Sequence, residues 1–304
     1  MAEPLVSITL TVYNGERFLS SALDSILAQD YNNFELIILD NLSTDRTREI
    51  CLKYAQRDKR IRYILDEKLR NANDGANHIA SFATGKYYML VCDDDRWESS
   101  YITKLVSILE SNSDIGLIYS GGYFMNIRGE NIRRMCSATE KLLLRANSKF
   151  LNFCSYLILR NVIPILFGIY RTEVLRKTLP FVTFDASVAD SDNLFVLKLL
   201  ASTNVFLVDE PLFYYRIYIG HERWIDPKYG VHVENISKLH SGINAFKHEL
   251  KLSLEILKIV KKSDFNFFAK LFLGLFIFAV SFICFFVKPF FRYMKKILVS
   301  YGKR

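Results

Sequence analysis

Three consecutive aspartates, Asp93-Asp94-Asp95, stand between the apolar run Tyr87 to Cys92 and the pair Arg96-Trp97. Carboxylates are hard oxygen ligands suited to Mg2+ or Mn2+, ions that commonly sit against substrate phosphates. Three aspartates can also open the next helix, capping its amides and complementing its dipole. The apolar run favours the metal reading, since a strand there delivers the triplet to the edge of a sheet. Two further polar clusters, Tyr13-Asn14 and Asp40-Asn41, also close apolar runs. Other chemistries lose their support. No GxGxxG follows the first apolar run and no GxxxxGK[ST] occurs, which argues against Rossmann-type dinucleotide binding and P-loop phosphoryl transfer. The 5 cysteines (Cys51, Cys92, Cys136, Cys154, Cys284) are scattered without CxxC or Cys/His spacing. Neither a zinc site nor a disulfide framework is indicated, and a reduced, cytosolic setting fits.

The elements that must position these clusters alternate along residues 1–125. Val6 to Val12 is β-branched and apolar and stops at the turn pair Asn14-Gly15. Phe18, Ala22 and Ile26, with Leu19 and Leu23 beside them, give a helical stripe. Phe34 to Leu39 reads as a strand, and Thr44 to Tyr54 as a helix capped by Ser43 or Thr44. Ile61 to Leu65, Tyr87 to Cys92 and Ile115 to Tyr119 read as strands, interleaved with helices over Asn73 to Phe82 and Tyr101 to Leu109. Strands that recur after helices imply parallel pairing with right-handed crossovers, hence an α/β fold with an open, mostly parallel sheet flanked by helices. Ligands bind beyond the carboxyl ends of such strands, where the three polar clusters converge. Residues 126–180, rich in Arg, Leu and Asn, are expected to form helices. An acidic segment, Asp185 to Asp192, then runs into the apolar helix Leu194 to Leu200. Val205 to Val208 reads as a strand leading to Pro211 and the run Phe213-Tyr214-Tyr215-Arg216, and residues 231–262 as a long amphipathic helical stretch.

These segments carry a resemblance. SITLTVYNGERFLSSALDSILAQDYNNFELIILDNLSTDRTREI resembles the start of the family-2 glycosyltransferases, of GT-A fold. NANDGANHIASFATGKYYMLVCDDDRW resembles their second block, SDNLFVLKLLA the segment holding their catalytic carboxylate, and DEPLFYYRI the strand and Tyr-Arg that follow. The four stand in order over about residues 5–220. The resemblance implies a GT-A fold and inverting transfer of a sugar from a nucleotide diphosphate. It implies that Thr11, Val12 and Tyr13 hold the nucleotide base and that Asp40 contacts base or ribose. Asp93 falls near ribose and metal, Asp94 is placed as metal ligand, and Asp95 follows beside it. Inverting transfer needs a carboxylate that removes the acceptor hydroxyl proton. The family's Glu-Asp pair falls on Ser191-Asp192, so Asp192 is the expected base and Asp190 the alternative; both could instead cap the helix.

The sequence departs from the family pattern in places. Asn41 and Leu42 stand where Asp and Gly are frequent, and Cys92 takes the first Asp of the common DxD form when the motif is aligned on Trp97. Gly220-His221-Glu222-Arg223-Trp224 has the Arg-Trp of processive synthases without their Gln, which disfavours a polymerising enzyme. Tyr215 and Arg216 face the diphosphate or the acceptor, or form an ordinary strand end. His221 is a third metal ligand or, more simply, a solvated loop histidine.

The net charge of +8 on 304 residues would by itself suit nucleic acid. From Ser263 to Arg304, however, seven basic residues face Asp264 alone, which leaves only +2 for residues 1–262. The basic tail is also the most apolar part of the chain. A membrane surface explains both facts, and a nucleic-acid groove only one. Leu271 to Val287 is a 17-residue run without charge. As a helix it covers about 25 Å, short of the ~30 Å hydrocarbon core. Basic clusters on both sides oppose a single span, and Pro289 breaks a helix near the end of the run. A re-entrant or interfacial hairpin is therefore favoured, with a single span or a helix buried in a homodimer as alternatives. The phenylalanines around it suit an interface. MAEPLVSITLTVYNG reads as a strand rather than a signal peptide, which places the protein on the cytoplasmic face of the membrane.

The expected organisation is a GT-A domain over residues 1–225, divided into a nucleotide-binding half (1–125) and an acceptor-side half (126–225). An amphipathic helical segment (226–262) and a membrane-associating tail (263–304) follow. The expected activity is metal-dependent transfer of a sugar, such as a hexose, from a nucleotide-diphosphate sugar, with Mn2+ or Mg2+. The acceptor is a glycan or a polyprenyl-linked species in cell-surface polysaccharide synthesis. Two competitors stand beside it: a catalytically inactive membrane scaffold, and a nucleotidyltransferase. The latter would usually need a Gly-rich basic phosphate loop early in the chain, and none is visible near Asn14-Gly15.

Overall fold

β-Branched and apolar residues make Val6–Val12 the strand β1, buried along its length apart from the half-buried Thr11. The computed structural model describes residues 3–135, 148–159, 163–181, 188–217 and 243–282. Strands β2 (Phe34–Asp40) and β4 (Tyr87–Val91) pair parallel to β1 on either side, and β3 (Ile61–Leu65) pairs parallel to β2. Val12 lies opposite Asp40, and Leu10 opposite Val91. The polar clusters after β1, β2 and β4 therefore step off the same edge.

Helices α1 (Leu19–Leu27), α2 (Thr47–Arg57), α3 (Ala72–Ala80) and α4 (Tyr101–Ser111) alternate with these strands. In α1 the buried residues are Leu19, Ala22, Leu23 and Ile26, four of the five in the stripe read from the sequence; the fifth, Phe18, is the half-buried residue before the helix. In α2 the start differs from expectation. Ser43 and Thr44 are engaged with Asn14 across the loop, and Asp45 instead accepts the Thr47 N–H at 2.9 Å.

The second half of the sheet corrects two expectations. β6 (Ile115–Met125) and β9 (Asn204–Arg216) are long strands, paired parallel from end to end. β9 continues through Pro211, which has no N–H for the ladder. The register shifts there, with Gly121 opposite Pro211 and Gly122 opposite Phe213. A Cβ on Gly122 would strike the Phe213 carbonyl oxygen, so the glycine lets the strands close beside the irregularity.

Residues 126–180 do not form helices alone. They give β7 (Asn131–Arg134), α5 (Lys149–Leu159), α6 (Ile163–Leu166), β8 (Ile169–Arg171) and α7 (Thr172–Thr178). β8 pairs antiparallel with both β4 and β6, and β5 (Arg96–Trp97) pairs antiparallel with β9. The order is β3-β2-β1-β4-β8-β6-β9-β5, with β7 on β6. The sheet is thus mixed, not mostly parallel, because three-residue β8 joins the two parallel groups in the opposite sense. Helix α8 (Val188–Ser202) starts ahead of the expected Leu194 and takes in Asp190 and Asp192.

The chain divides into two compact units, residues 1–230 and 231–304. In the second, α9 (Ile243–Lys262) packs on α10 (Phe267–Phe282) through Leu252, Ile256, Val260, Leu273 and Ile277. Asn266 caps α10 by accepting the Ala269 N–H at 2.9 Å. Phe267, Phe268, Leu271, Phe272 and Leu275 are exposed. Among the described residues no helix is long and apolar enough to cross a membrane. Residues 218–242 and 283–304, with His221, Pro289 and most of the basic tail, lie outside the described residues.

Candidate active site

Two loops, after β1 and after β2, are laced together at the functional edge. Asn14 takes the left-handed conformation (φ 50°), which Asn tolerates. Its N–H donates to Ser43 Oγ at 3.0 Å, and its Oδ1 accepts the Thr44 N–H at 2.8 Å. The Gly15 N–H donates to Thr47 Oγ1 at 2.8 Å. A Cβ on Gly15 would collide with Asp93 Oδ2 and lie 2.7 Å from Val12 Cγ2. Glycine is what lets the Asp93 carboxylate reach this turn.

Asp40 is fully buried. Its Oδ1 accepts the Ser43 N–H at 2.9 Å and its Oδ2 the Tyr63 hydroxyl at 2.8 Å. Burial, followed by the Asp40 carboxylate, pushes the Tyr63 phenol up. Asn41 clamps the main chain of Arg70, donating to its carbonyl and accepting its N–H, both at 2.8 Å. One side chain must offer a donor and an acceptor here, which an ionised Asp cannot do. Leu42 has φ 62°, a conformation that suits glycine better. Beside these loops Thr11 Oγ1 is buried without a hydrogen-bond partner, and a Cβ on Gly75 would stand 3.0 Å from Thr11 Cγ2.

The three aspartates are all buried. Asp95 Oδ1 accepts the Arg216 N–H at 2.8 Å, while its Oδ2 has no protein partner. Cys92 Sγ and one carboxylate oxygen each from Asp94 and Asp95 lie within 4.8 Å of one another. Burial pushes the Asp95 carboxyl well up, Asp94 and Asp93 add to this, and Arg216 opposes it. Like charges held this close cannot all ionise cheaply without a cation. The orphaned oxygen and the hard donor set fit a divalent ion, with the softer Cys92 thiol beside them. Arg216 arranges the triplet from behind: Nε donates to the Asp94 carbonyl and Nη1 to the Asn126 carbonyl, both at 2.8 Å. Its guanidinium carbon sits 4.1 Å from the Phe18 ring centroid.

Asp192 lies on α8. It is half-buried, and burial pushes its carboxyl up to about 7. Tyr215 links it to the triplet. Burial raises the Tyr215 phenol well above its usual range, and Asp95, Cys92, Asp94 and Asp192 all add to the rise. The tyrosine therefore lies within electrostatic reach of both acidic groups. Several contacts hold helix α8, among them a hydrogen bond from Lys198 Nζ to the Pro180 carbonyl at 3.0 Å. Tyr156 donates to Asn193 Oδ1 at 2.8 Å, and Phe195 stacks on Phe181 at 3.7 Å between centroids. Asn77 of α3 in turn holds the Phe181 main chain with two hydrogen bonds, at 2.9 and 2.7 Å. Asp190 belongs to the same helix.

Sequence reasoning missed Tyr63 and Asn77, whose partners are distant along the chain. It registered Cys92 only as a departure from DxD, although that position was itself the signal for a metal-side group.

The parallel half-sheet with an acidic cluster at its edge, joined through antiparallel β8 to a second half, has the architecture of the GT-A fold. The sequence profile of glycosyl transferase family 2 matches residues 7–179, more than half of the chain, and the chain belongs to that family. It is 30% identical over 126 residues to the Escherichia coli UDP-Glc:alpha-D-GlcNAc-diphosphoundecaprenol beta-1,3-glucosyltransferase WfgD, covering 41% of this chain and 49% of that one. The matched stretches span about half or less of most of the curated relatives found. The fold is similar to Staphylococcus aureus TarS 1-349, solved with UDP-GlcNAc (TM-score 0.63, 17% identity, 92% of this chain and 73% of that one). It is also similar to a mannosyltransferase from Pyrobaculum calidifontis, solved with GDP-Man and Mn2+ (TM-score 0.54, 14% identity, 97% and 84% covered).

Proposed function

We propose that this family-2 glycosyltransferase is a metal-dependent, inverting enzyme that moves a sugar from a nucleotide diphosphate to a glycan or lipid-linked acceptor. The observation that carries the reading is the buried cluster of Cys92, Asp94 and Asp95 at the strand edge, in which one Asp95 oxygen has no protein partner. Asp94 and Asp95 would hold Mn2+ or Mg2+, and the bound ion would supply positive charge against the leaving diphosphate. Thr11, Val12 and Tyr13 take the base. Asp40, fully buried, positions the Ser43 loop and Tyr63 for base or ribose, and Asp93 reaches the Gly15 turn beside them. Asp192 accepts the proton of the acceptor hydroxyl as that oxygen bonds to the anomeric carbon and the bond to the diphosphate oxygen breaks. A carboxyl near 7 is well matched to that task, since a base works best with its pKa close to the operating pH. Asp190 is the alternative base. The name of the E. coli relative supports a lipid-linked acceptor.

The test is isothermal titration of UDP, GDP and dTDP with and without Mn2+. At least one should bind in a metal-dependent way, and binding of none would sink the proposal.

The second unit carries the membrane reading. The exposed Phe267, Phe268, Leu271, Phe272 and Leu275 of α10 stand near Lys261, Lys262 and Lys270. Apolar residues bordered by lysine suit an anionic bilayer surface on the cytoplasmic side. The full chain should sediment with phosphatidylglycerol vesicles, and Phe267→Ser/Phe268→Ser should leave much more of it in the supernatant. A protein that ignores vesicles but dimerises through this face would overturn the membrane reading.

A further inference from the structure

The acidic cluster carries a sulfur. β4 ends at Val91, and the chain turns at Asp93-Asp94 before β5 begins at Arg96. That turn folds residue 92 back toward residues 94 and 95, so Cys92 Sγ and one carboxylate oxygen from each of the two aspartates lie within 4.8 Å of one another. Ligand atoms sharing one divalent ion stand about 3–4.5 Å apart, which puts the trio within reach of a single ion. Among the described residues no other three His, Cys, Asp or Glu side chains converge in this way. Asp93 turns elsewhere: its Oδ2 lies against Gly15, where a Cβ would strike it. The third donor of the cluster is therefore the thiol.

A second observation shows that the cluster is incomplete without a cation. Asp95 is fully buried, its Oδ1 accepts the Arg216 N–H at 2.8 Å, and its Oδ2 has no protein partner. A carboxylate oxygen buried in that state is costly unless a positive charge meets it. Cys92 is only half-buried, so an ion can arrive from its side. Its residue type also suits the crowding. A carboxylate at position 92 would set one more negative charge among Asp93, Asp94 and Asp95, whereas a thiol is charged only once it has given up its proton.

Sulfur changes which ion belongs here. Mg2+ demands a near-ideal octahedral shell of oxygens, and a sulfur is a poor member of it. Thiolate favours first-row transition-metal ions over Mg2+. We propose that Cys92 is a ligand of the divalent ion and makes this site select a transition-metal ion against Mg2+. The thiol proton passes to bulk water as the sulfur–metal bond forms. The inference deepens the transferase reading and rests on it for the ion's presence.

Co2+ is the probe, because thiolate bound to it gives a near-ultraviolet charge-transfer band that oxygen ligands do not. The full chain is titrated with Co2+ alone, then with UDP, GDP or dTDP added. The parent should show the band. Cys92→Ser and Cys92→Asp should each lose it, which separates Cys92 from the other cysteines. In the nucleotide titration the parent should prefer Mn2+ to Mg2+, and Cys92→Asp should narrow that preference by about 10-fold, the lower end of what a residue that only orients a ligand is worth. A further measurement needs no substitution. Mn2+ should slow alkylation of Cys92 by iodoacetamide, read by peptide mass spectrometry, and Mg2+ at the same concentration should leave it nearly unchanged; buried Cys51 is the internal reference. No band in the parent, a band that survives in Cys92→Ser, or equal protection by Mg2+ overturns the proposal. Where metal-dependent nucleotide binding persists in those samples, the thiol ligand alone falls; where it is absent throughout, the transferase reading falls with it.

Discussion

The two halves of the sheet are built differently. In the first, β1 to β4 are short parallel strands, each followed by polar residues at one edge. In the second, β6 and β9 are long strands held in place by short antiparallel neighbours and an irregular register. The first half supplies loops that can cradle a nucleotide. The second supplies Arg216, which hydrogen-bonds the acidic triplet, and Tyr215, which lies within electrostatic reach of the triplet and of Asp192.

The largest effect expected separates the contributions of the halves. Asp94→Ala, in the first, should abolish metal-dependent nucleotide binding. Asp192→Asn, in the second, should bind donor almost normally and lose ~10²–10⁴-fold in kcat. Asp190→Asn should cost much less; the reverse ranking would move the base by two residues.

A pH series sharpens the same division. Asp192 must be ionised to act, so kcat/KM should rise with pH through about 7. Stability has the opposite dependence. A carboxyl raised from 3.8 to about 7 on folding costs nothing below pH 4, costs more as pH rises, and carries its full penalty above 7. Asp192→Asn should therefore raise stability at pH 8 by roughly 2–4 kcal/mol and leave it unchanged near pH 4, as read by urea unfolding. Equal gains at both pH values would show that the burial of Asp192 is not the cause.

Gly122→Ala tests the seam of the second half. The added Cβ strikes the Phe213 carbonyl oxygen, and forcing the strands apart should cost ~1–3 kcal/mol. Displacement of β9 should also disturb Arg216 and weaken metal-dependent binding. Thermal unfolding that is unchanged would mean that β6 and β9 have slack at Pro211.

The smallest effect returns to the first half. Leu42→Gly relieves a left-handed backbone at φ 62° and should stabilise the chain by at most about 1 kcal/mol. A clear loss of stability would give the Leu42 side chain a packing role that outweighs its backbone strain.

Local patterns determined much of this protein. Val6 to Val12, Phe34 to Leu39 and Ile61 to Leu65 read as strands because their apolar runs are continuous, and α1 because its stripe repeats with the helical period. The Asp triplet was legible for the same reason, as charge placed at the end of a buried strand. Where a structural feature depends on a distant partner, the sequence fell silent. Gly121-Gly122 and Pro211 lie beyond the strands Ile115 to Tyr119 and Val205 to Val208 read from the sequence, yet facing one another they let both strands continue. β5 and β8, of two and three residues, have no pattern long enough to detect. Ser43 looked like a helix cap until Asn14, 29 residues away, was found to hold it. Asp192 could be named from its neighbours in sequence, but its raised pKa comes from burial, which only packing creates. Sequence determined which groups could react and which strand ends could carry them. Tertiary structure decided which groups meet, because hydrogen bonds, close backbone approach and desolvation depend on residues far apart along the chain.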